Sequence, residues 1–192
     1  MTSSSSYNYA SNSLYGSGWK YDVFLSLKSE DTWRTFTGHL YQQLKNKGTL
    51  LTFQDDMPLE DGDSIPEELL KTIKESQFIL VVFSKSYATS RWCLDVLEKI
   101  MESKDEYGQT VIPIFYDVDP SEIRKQRESF AEAFDKYESN YKDDVEGMQK
   151  VQRWRTALTE AANLRGYDIR QWTRSNCIQH IVDQISSKLC KT

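Results

Sequence analysis

The sequence predicts a doubly wound α/β fold, in which a parallel β-sheet has helices on both faces. Short apolar runs alternate with longer segments whose apolar residues recur at helical spacing, and this alternation is typical of a parallel sheet. Residues 78–83 read Phe-Ile-Leu-Val-Val-Phe, and such a continuously apolar run indicates a strand that is buried on both faces. With 192 residues and 39% hydrophobic content, the chain can bury one sizeable core, so a single domain is expected.

Four runs are predicted as strands, at residues 21–27, 50–53, 78–83 and 111–116. Pro113 removes a backbone donor from the last run, which argues against a position where every ladder hydrogen bond is needed. About five strands and five or six helices complete a flavodoxin-like sheet, by analogy with other doubly wound folds. The ligand crevice of such a sheet lies beyond the carboxyl ends of its strands.

Helical spacing predicts the layers that cover the sheet, and local residues predict where two of the helices begin. Apolar positions recur within residues 36–44, 69–73, 93–101, 151–162 and 178–189. Ser64 and Glu67 resemble a capping box, and Asp119 precedes a first-turn proline.

Three segments are predicted to lie outside regular structure. Residues 1–18 are rich in Ser, Asn, Gly and Tyr and are interpreted as a disordered tail, so the folded domain is expected over residues 19–190. The charged run 137–150 is predicted to be a flexible connection between helices. The acidic run 55–63 lacks the ligand spacing of an EF-hand and is interpreted as a solvated loop.

Composition and motif searches argue against several function classes. The net charge of −5, with both signs interspersed, predicts no nucleic-acid partner. Three cysteines and two histidines follow no disulfide, metal or nucleophile-elbow pattern, so no metal site is predicted and reduced thiols in the cytoplasm are expected. The glycines form neither a P-loop nor a dinucleotide-binding turn. No run approaches about 20 apolar residues, so no membrane association is expected.

Five stretches carry a family resemblance: YDVFLSLKSEDTW, FTGHLYQQLKNKG, FQDDMPLEDGDSIPEELLKTIKES, VVFSKSYATSRWCLDVL and TVIPIFYDVDPSEIRKQRESFAEAF. Together they resemble the TIR domains of plant TIR-NB-LRR immune receptors, and within these the class that confers resistance to tobacco mosaic virus. The resemblance implies intracellular immune signalling, self-association and pairing with other TIR domains. It also implies the NAD⁺ cleavage of many relatives, with no bound cofactor and NAD⁺ as a substrate or ligand. A cytoplasmic location is expected, and a nuclear one is left open.

Val96 departs from the family at the position that matters most for chemistry. Relatives usually read Trp-Cys-Leu-x-Glu-Leu, and the resemblance implies that this glutamate serves the cleavage of NAD⁺. Here the segment reads Trp92-Cys93-Leu94-Asp95-Val96-Leu97. A valine can neither accept a ribose hydroxyl nor stabilise the positive charge that develops as nicotinamide leaves. Catalytic residues are therefore predicted to be absent, and cleavage is expected to be strongly impaired.

Neighbouring carboxylates are not expected to replace the glutamate. Successive helical residues are about 100° apart around the helix axis, so Asp95 and Glu98 should point away from the direction of Val96. The alternative of an active NAD⁺ nucleosidase, using Asp95 or Glu98, stays open, as does a domain that binds NAD⁺ without cleaving it.

The exit of the first strand differs from its relatives as well. They commonly read Ser-Phe-Arg-Gly-Glu-Asp-Thr-Arg, whereas this chain has Ser26-Leu27-Lys28-Ser29-Glu30-Asp31-Thr32-Trp33. Lys28 keeps a positive charge but loses the planar fork that suits phosphate, and Ser29 adds a side chain where Gly lets a ligand approach. Trp33 replaces a second cation. Glu30 and Asp31 are interpreted as solvated or helix-capping residues.

Seven positions form the predicted site. The nucleotide cleft is assigned to Ser26, Lys28, Ser29, Trp92 and Val96; Trp92 could stack a ligand ring or simply pack in the core. The self-association surface is assigned to Gly38 and His39, which stand where the relatives carry a Ser-His pair.

Overall fold

The structure is a computed structural model that describes residues 18–57 and 64–189. Of the predicted disordered tail, residues 1–17 lie outside this range. Residues 58–63 of the acidic run and residue 190 of the predicted domain lie outside it as well.

A five-stranded parallel sheet forms the centre of the fold, in the order β2-β1-β3-β4-β5. The strands are β1 (Tyr21–Ser26), β2 (Leu51–Gln54), β3 (Ser76–Phe83), β4 (Thr110–Phe115) and β5 (Tyr167–Asp168). This order is the flavodoxin-like one, with its switch point between β1 and β3. The predicted fold class is confirmed, and the four predicted strands are found within two residues of their predicted ends.

Helices flank the sheet on both faces. They are α1 (Ser29–Thr32), a π-helical turn (Trp33–Thr37), α2 (Gly38–Asn46), α3 (Glu67–Lys74), α4 (Arg91–Tyr107), α5 (Pro120–Arg124), α6 (Ser129–Tyr141), α7 (Val145–Ala162) and α8 (Arg174–Leu189). Single 3₁₀ turns span Tyr87–Thr89 and Ile169–Gln171.

The core consists of two apolar layers, one on each face of the sheet. Side chains of a strand alternate between its faces, and β3 supplies both layers: Ile79 and Val81 pack with α3 to α7, whereas Leu80 and Val82 pack with α2 and α8. All four side chains are 0% exposed. The apolar run that predicted a doubly covered strand is thereby explained.

Residues 137–150 were predicted to be a flexible connection, and that prediction is wrong. Helix α6 continues to Tyr141 and α7 begins at Val145, so only residues 142–144 join the two helices. Each helix needs only a narrow apolar stripe toward the sheet. Tyr137 and Val151 supply part of that stripe and are buried, while charged residues cover the remaining surface and mask the helical period.

Only one of the two predicted helix caps forms. The Asp119 carboxylate accepts a hydrogen bond from the Ser121 backbone N–H at 2.8 Å, which confirms that cap. This bond lowers the pKa of Asp119. The capping box at Ser64 is not formed, because α3 begins at Glu67 behind Pro66 and has no side-chain cap.

Pro113 lies in an internal strand, although its missing donor argued against such a position. β5 is two residues long and pairs with Ile114 and Phe115, so the ladder on that side starts after the proline. Gly166, just before β5, packs closely against Pro113. A Cβ at this position would lie 2.0 Å from the Pro113 carbonyl oxygen. A larger residue could not approach the proline this way.

Candidate functional site

The carboxyl ends of β1, β2 and β3 meet in a polar cluster that includes much of the predicted cleft. Lys28 follows β1 and extends toward the loop after β3, where its Nζ lies 3.2 Å from Ser86 Oγ and 3.1 Å from Thr89 Oγ1. Two neutral hydroxyls therefore hold the ammonium group, and its positive charge remains available at the strand ends.

Asp31 joins the exits of β1 and β3. Its carboxylate accepts hydrogen bonds from the hydroxyls of Ser84 and Ser86. The interpretation of Asp31 as a solvated or capping residue is therefore wrong, because its partners lie on a different strand exit. Sequence spacing gave no signal for this contact, since the two serines are more than 50 positions away along the chain.

Ser29 contacts the exit of β2. Its backbone N–H donates to Asp55 Oδ1 at 2.7 Å, and its hydroxyl donates to the other oxygen of the same carboxylate. A glycine at this position would keep the backbone bond and lose the hydroxyl bond. The Ser29 side chain thus adds a contact between two loops at a position where the family resemblance implies a glycine.

The acidic run after β2 is also part of this cluster at its beginning. Asp56 accepts a hydrogen bond from the Ser90 hydroxyl, and the Ser90 oxygen accepts from the Cys93 backbone N–H at 3.0 Å, which caps α4. Both Asp55 and Asp56 are half-buried. The solvated-loop interpretation is therefore wrong for these two residues, while residues 58–63 lie outside the described structure.

Ser26 and Cys93 lie below the cluster in the buried part of the strand ends. Ser26 is 2% exposed and contacts Tyr87, whose pKa is raised by burial, with a smaller opposing effect of the Ser26 hydrogen bond. The Tyr87 hydroxyl donates to the Cys93 carbonyl at 3.1 Å. Burial raises the pKa of the Cys93 thiol to about 12. This thiol is neutral at physiological pH and is not an activated nucleophile.

Val96 and Trp92 lie one turn apart in the buried first half of α4. Val96 is 1% exposed and Trp92 is 5% exposed, and both belong to the apolar layer. Trp92 Nε1 is buried without a hydrogen-bond partner among the residues that the structure describes. Two of the predicted cleft residues are thus core residues that adjoin the capped start of α4.

The two carboxylates nearest to Val96 along the chain point to α7. Asp95 Oδ1 accepts from Trp154 Nε1 at 2.9 Å, and its Oδ2 lies 3.1 Å from Lys150 Nζ. Glu98 Oε1 accepts from Arg153 Nε at 2.8 Å. Both side chains are therefore engaged between the two helices, and the direction expected from the helical rotation is confirmed.

Trp33 packs between α2 and the edge strand β2. Its ring centroid is 5.6 Å from that of Tyr41 and 5.5 Å from that of Phe53. Trp33 therefore packs against aromatic side chains at a position where the family resemblance implies a second cation. The π-helical turn places this side chain beside α2, and the sequence carried no signal for such a turn.

Gly38 and His39 begin α2, and the first of them is fixed by the packing of Trp33. The Gly38 backbone N–H donates to the Trp33 carbonyl and closes the π-helical turn. A Cβ on Gly38 would lie 2.6 Å from that oxygen and 3.3 Å from the Trp33 ring. His39 is exposed, so it is available for contacts with a partner. The structure brings these two residues together but separates them from the cleft.

Within residues 18–57 and 64–189, no group of His, Cys, Asp and Glu side chains is arranged to hold a metal ion. No helix in those ranges combines the length and the apolar content that crossing a membrane requires.

Comparison with known proteins identifies the family. The TIR domain family matches residues 20–192. The chain is 63% identical over 181 residues to TMV resistance protein N of Nicotiana glutinosa, and the aligned residues cover 94% of this chain and 16% of that protein. It is 53% identical over 175 residues to disease resistance protein RUN1 of Vitis rotundifolia, covering 89% of this chain and 12% of the relative. The chain thus spans less than a fifth of the length of these relatives.

Solved structures support the same conclusion. The TIR domains of the activated Roq1 resistosome, which directly recognizes the pathogen effector XopQ, are 49% identical, with a TM-score of 0.77 over 86% of this chain and 99% of that one. The RPS4 and RRS1 TIR domain heterodimer shares the fold at 18% identity, with a TM-score of 0.52 over 86% of this chain and 96% of that one. Together with the five-stranded parallel sheet, these matches show that the chain belongs to the TIR domain family, among the domains found in plant disease resistance proteins.

Proposed function

We propose that this domain is a self-associating signalling module of plant innate immunity that cleaves NAD⁺ weakly or not at all. The observation that carries the proposal is Val96, a buried apolar side chain at the position of the family glutamate. Immune signalling is supported by the relatives, which are disease resistance proteins. We place the domain in the cytoplasm, and the nucleus is a further compartment in which the same module could act.

The chemistry of NAD⁺ cleavage makes the side chain at position 96 decisive. Cleavage of the bond between nicotinamide and ribose develops positive charge on the sugar, which a nearby carboxylate stabilises. Loss of one such preorganised group typically lowers the rate by about 100- to 1000-fold. Val96 has no oxygen to take this role. Asp95 and Glu98 are held by the basic and indole groups of α7, so neither is free to replace it.

A second candidate function is that of an active NAD⁺ nucleosidase that makes ADP-ribose-type nucleotides. The polar cluster favours it, because Asp31, Asp55 and Asp56 supply carboxylates and Lys28 supplies a cation at the strand ends. Binding of NAD⁺ without cleavage would use the same groups. A calorimetric titration with NAD⁺, combined with an assay for free nicotinamide, separates cleavage, binding alone and no interaction.

Self-association is proposed to use the surface formed by Gly38 and His39. The TIR domains of Roq1 are seen in an assembled resistosome, and His39 is an exposed side chain at the start of α2. Sedimentation velocity tests this surface with His39→Asp, because a carboxylate in a packed contact weakens it by desolvation and repulsion. We expect the weight-average mass at high concentration to fall toward that of a monomer.

A matched control is Gln152→Asp, which adds the same charge to an exposed position of α7. Helices α7 and α2 cover opposite faces of the sheet, so this position lies away from His39. Equal loss of assembly in both variants would indicate a general charge effect and contradict the assigned surface. Unchanged assembly in His39→Asp would contradict it as well.

A further inference from the structure

A cavity lies beside the polar cluster, between the loop that follows β3 and helix α6. Its volume is about 440 Å³, which falls in the range of about 300–1,000 Å³ that small-molecule pockets occupy. The residues that line it come from the two segments 85–89 and 129–140. None of the predicted cleft positions lines it.

The floor of the cavity is apolar and fixed. Tyr137 and Ala133 form it, and both are buried. The Tyr137 hydroxyl donates to the Ala88 carbonyl at 2.7 Å, which holds the ring in place. A flat apolar group of a ligand could pack against this ring without disturbing the hydrogen bond.

The hydroxyl groups of the wall have already used their hydrogens. Thr89 Oγ1 donates to the Ser86 carbonyl at 2.6 Å, and Ser129 Oγ donates to the Lys85 carbonyl at 2.8 Å. Their oxygens remain as acceptors for hydroxyl groups of a ligand. An anion would have to be bound by other donors.

Such donors stand at the rim of the cavity. Lys85 and Lys136 line it and are exposed, and neither ammonium group forms an ion pair or hydrogen bond with the residues that the structure describes. Lys28 adds a third cation behind the wall, since it contacts the Ser86 and Thr89 hydroxyls. Asp31 opposes Lys28 there, since its carboxylate accepts from the Ser86 hydroxyl. The lining itself carries two lysines against one carboxylate, Glu132, so its excess charge is positive.

We propose that this cavity binds a phosphomonoester that carries a flat aromatic ring, the chemistry of a nucleoside monophosphate. Lys85 and Lys136 bind the phosphate, and the ring packs on Tyr137. The cavity adjoins the cleft assigned to NAD⁺ where Lys28 contacts Ser86 and Thr89, but its phosphate and ring contacts come from other residues, so the inference goes beyond the proposed function. It holds or fails regardless of whether NAD⁺ is cleaved.

Isothermal titration of the whole chain with AMP tests the proposal, with adenosine and inorganic phosphate as separate probes. AMP should bind more tightly than either probe, because each probe lacks one of the two contacts. Lys136→Ala should weaken AMP binding by about tenfold, the effect of losing roughly 1.4 kcal/mol from one charge-assisted contact. Glu132→Gln should strengthen it, since the variant removes the opposing charge.

The matched control is Lys142→Ala, which removes the charge of an exposed lysine just past α6 that does not line the cavity. This variant should bind AMP as the natural sequence does. No detectable binding of AMP, or equal weakening by the two lysine variants, would overturn the proposal. Phosphate binding as tightly as AMP would overturn the role of the ring, and adenosine binding as tightly would overturn the role of the cations.

Discussion

Val96→Glu restores the carboxylate that the family resemblance implies at this position. If the rest of the cleft is preserved, the added group should raise nicotinamide release by about 100- to 1000-fold, the usual contribution of one preorganised electrostatic group. The assay is the time course of free nicotinamide, separated from NAD⁺ by chromatography. Release should increase with pH through the titration of the new carboxyl, because burial raises a carboxyl pKa and only the charged form is effective.

The same substitution has a cost in stability that can be estimated from the burial of the site. Val96 is 1% exposed within the apolar layer, and an uncompensated charge in such a place typically costs about 3–5 kcal/mol. Denaturant titration should show a smaller free energy of unfolding for Val96→Glu. A loss well below this range would indicate that the carboxylate reaches the polar strand ends.

Val96→Gln is the matched control, since it has nearly the same shape and hydrogen-bonding reach but carries no charge. It should remain inactive. Equal nicotinamide release by the glutamate and glutamine variants would refute the electrostatic argument. No gain in a folded Val96→Glu protein would assign the lost activity to the altered loop after β1 instead.

Three further outcomes are expected. Asp95→Asn should lower the free energy of unfolding by about 1–2 kcal/mol, because its half-exposed partner Lys150 loses the ion pair. The variant should release nicotinamide at the same rate as the unaltered domain. A selective loss of release would support the nucleosidase alternative. Gly38→Ala should destabilise the domain by about 1–3 kcal/mol, because its Cβ would clash with the Trp33 carbonyl that closes the π-helical turn. His39→Ala should change the free energy of unfolding by less than about 0.5 kcal/mol. Equal effects of the two variants in denaturant titrations would contradict the steric explanation. The Cys93 thiol has a pKa near 9.0 in the unfolded chain and about 12 in the folded domain. Above pH 9 the unfolded state therefore loses this proton first, and the free energy of unfolding falls by up to about 1.4 kcal/mol per pH unit. Cys93→Ala should flatten this alkaline decline in thermal melts, and an unchanged slope would contradict the role of Cys93.

The fold was predictable because strand burial leaves a strong signal in the sequence. The run 78–83 is apolar throughout, since both faces of β3 are covered. β5 gave no signal because it is only two residues long, Tyr167 and Asp168. The end of α6 and the start of α7 were missed because charged residues dominate the run 137–150, whereas the apolar spacing of residues 151–162 predicted the rest of α7.

The site was predictable only where it depends on local geometry. Helical rotation was sufficient to direct Asp95 and Glu98 away from Val96, and both contact α7. The roles of Asp31 and Asp55 depend on which strand ends become neighbours, and this information arises from the order of the sheet. Periodicity along one segment cannot supply it.

Nicotinamide release by the unaltered domain is the most direct test of the central claim. Purified protein incubated with NAD⁺ should release little nicotinamide at concentrations where an active TIR domain consumes the substrate. Turnover comparable to that of the active domain would contradict the claim that Val96 removes the catalytic function.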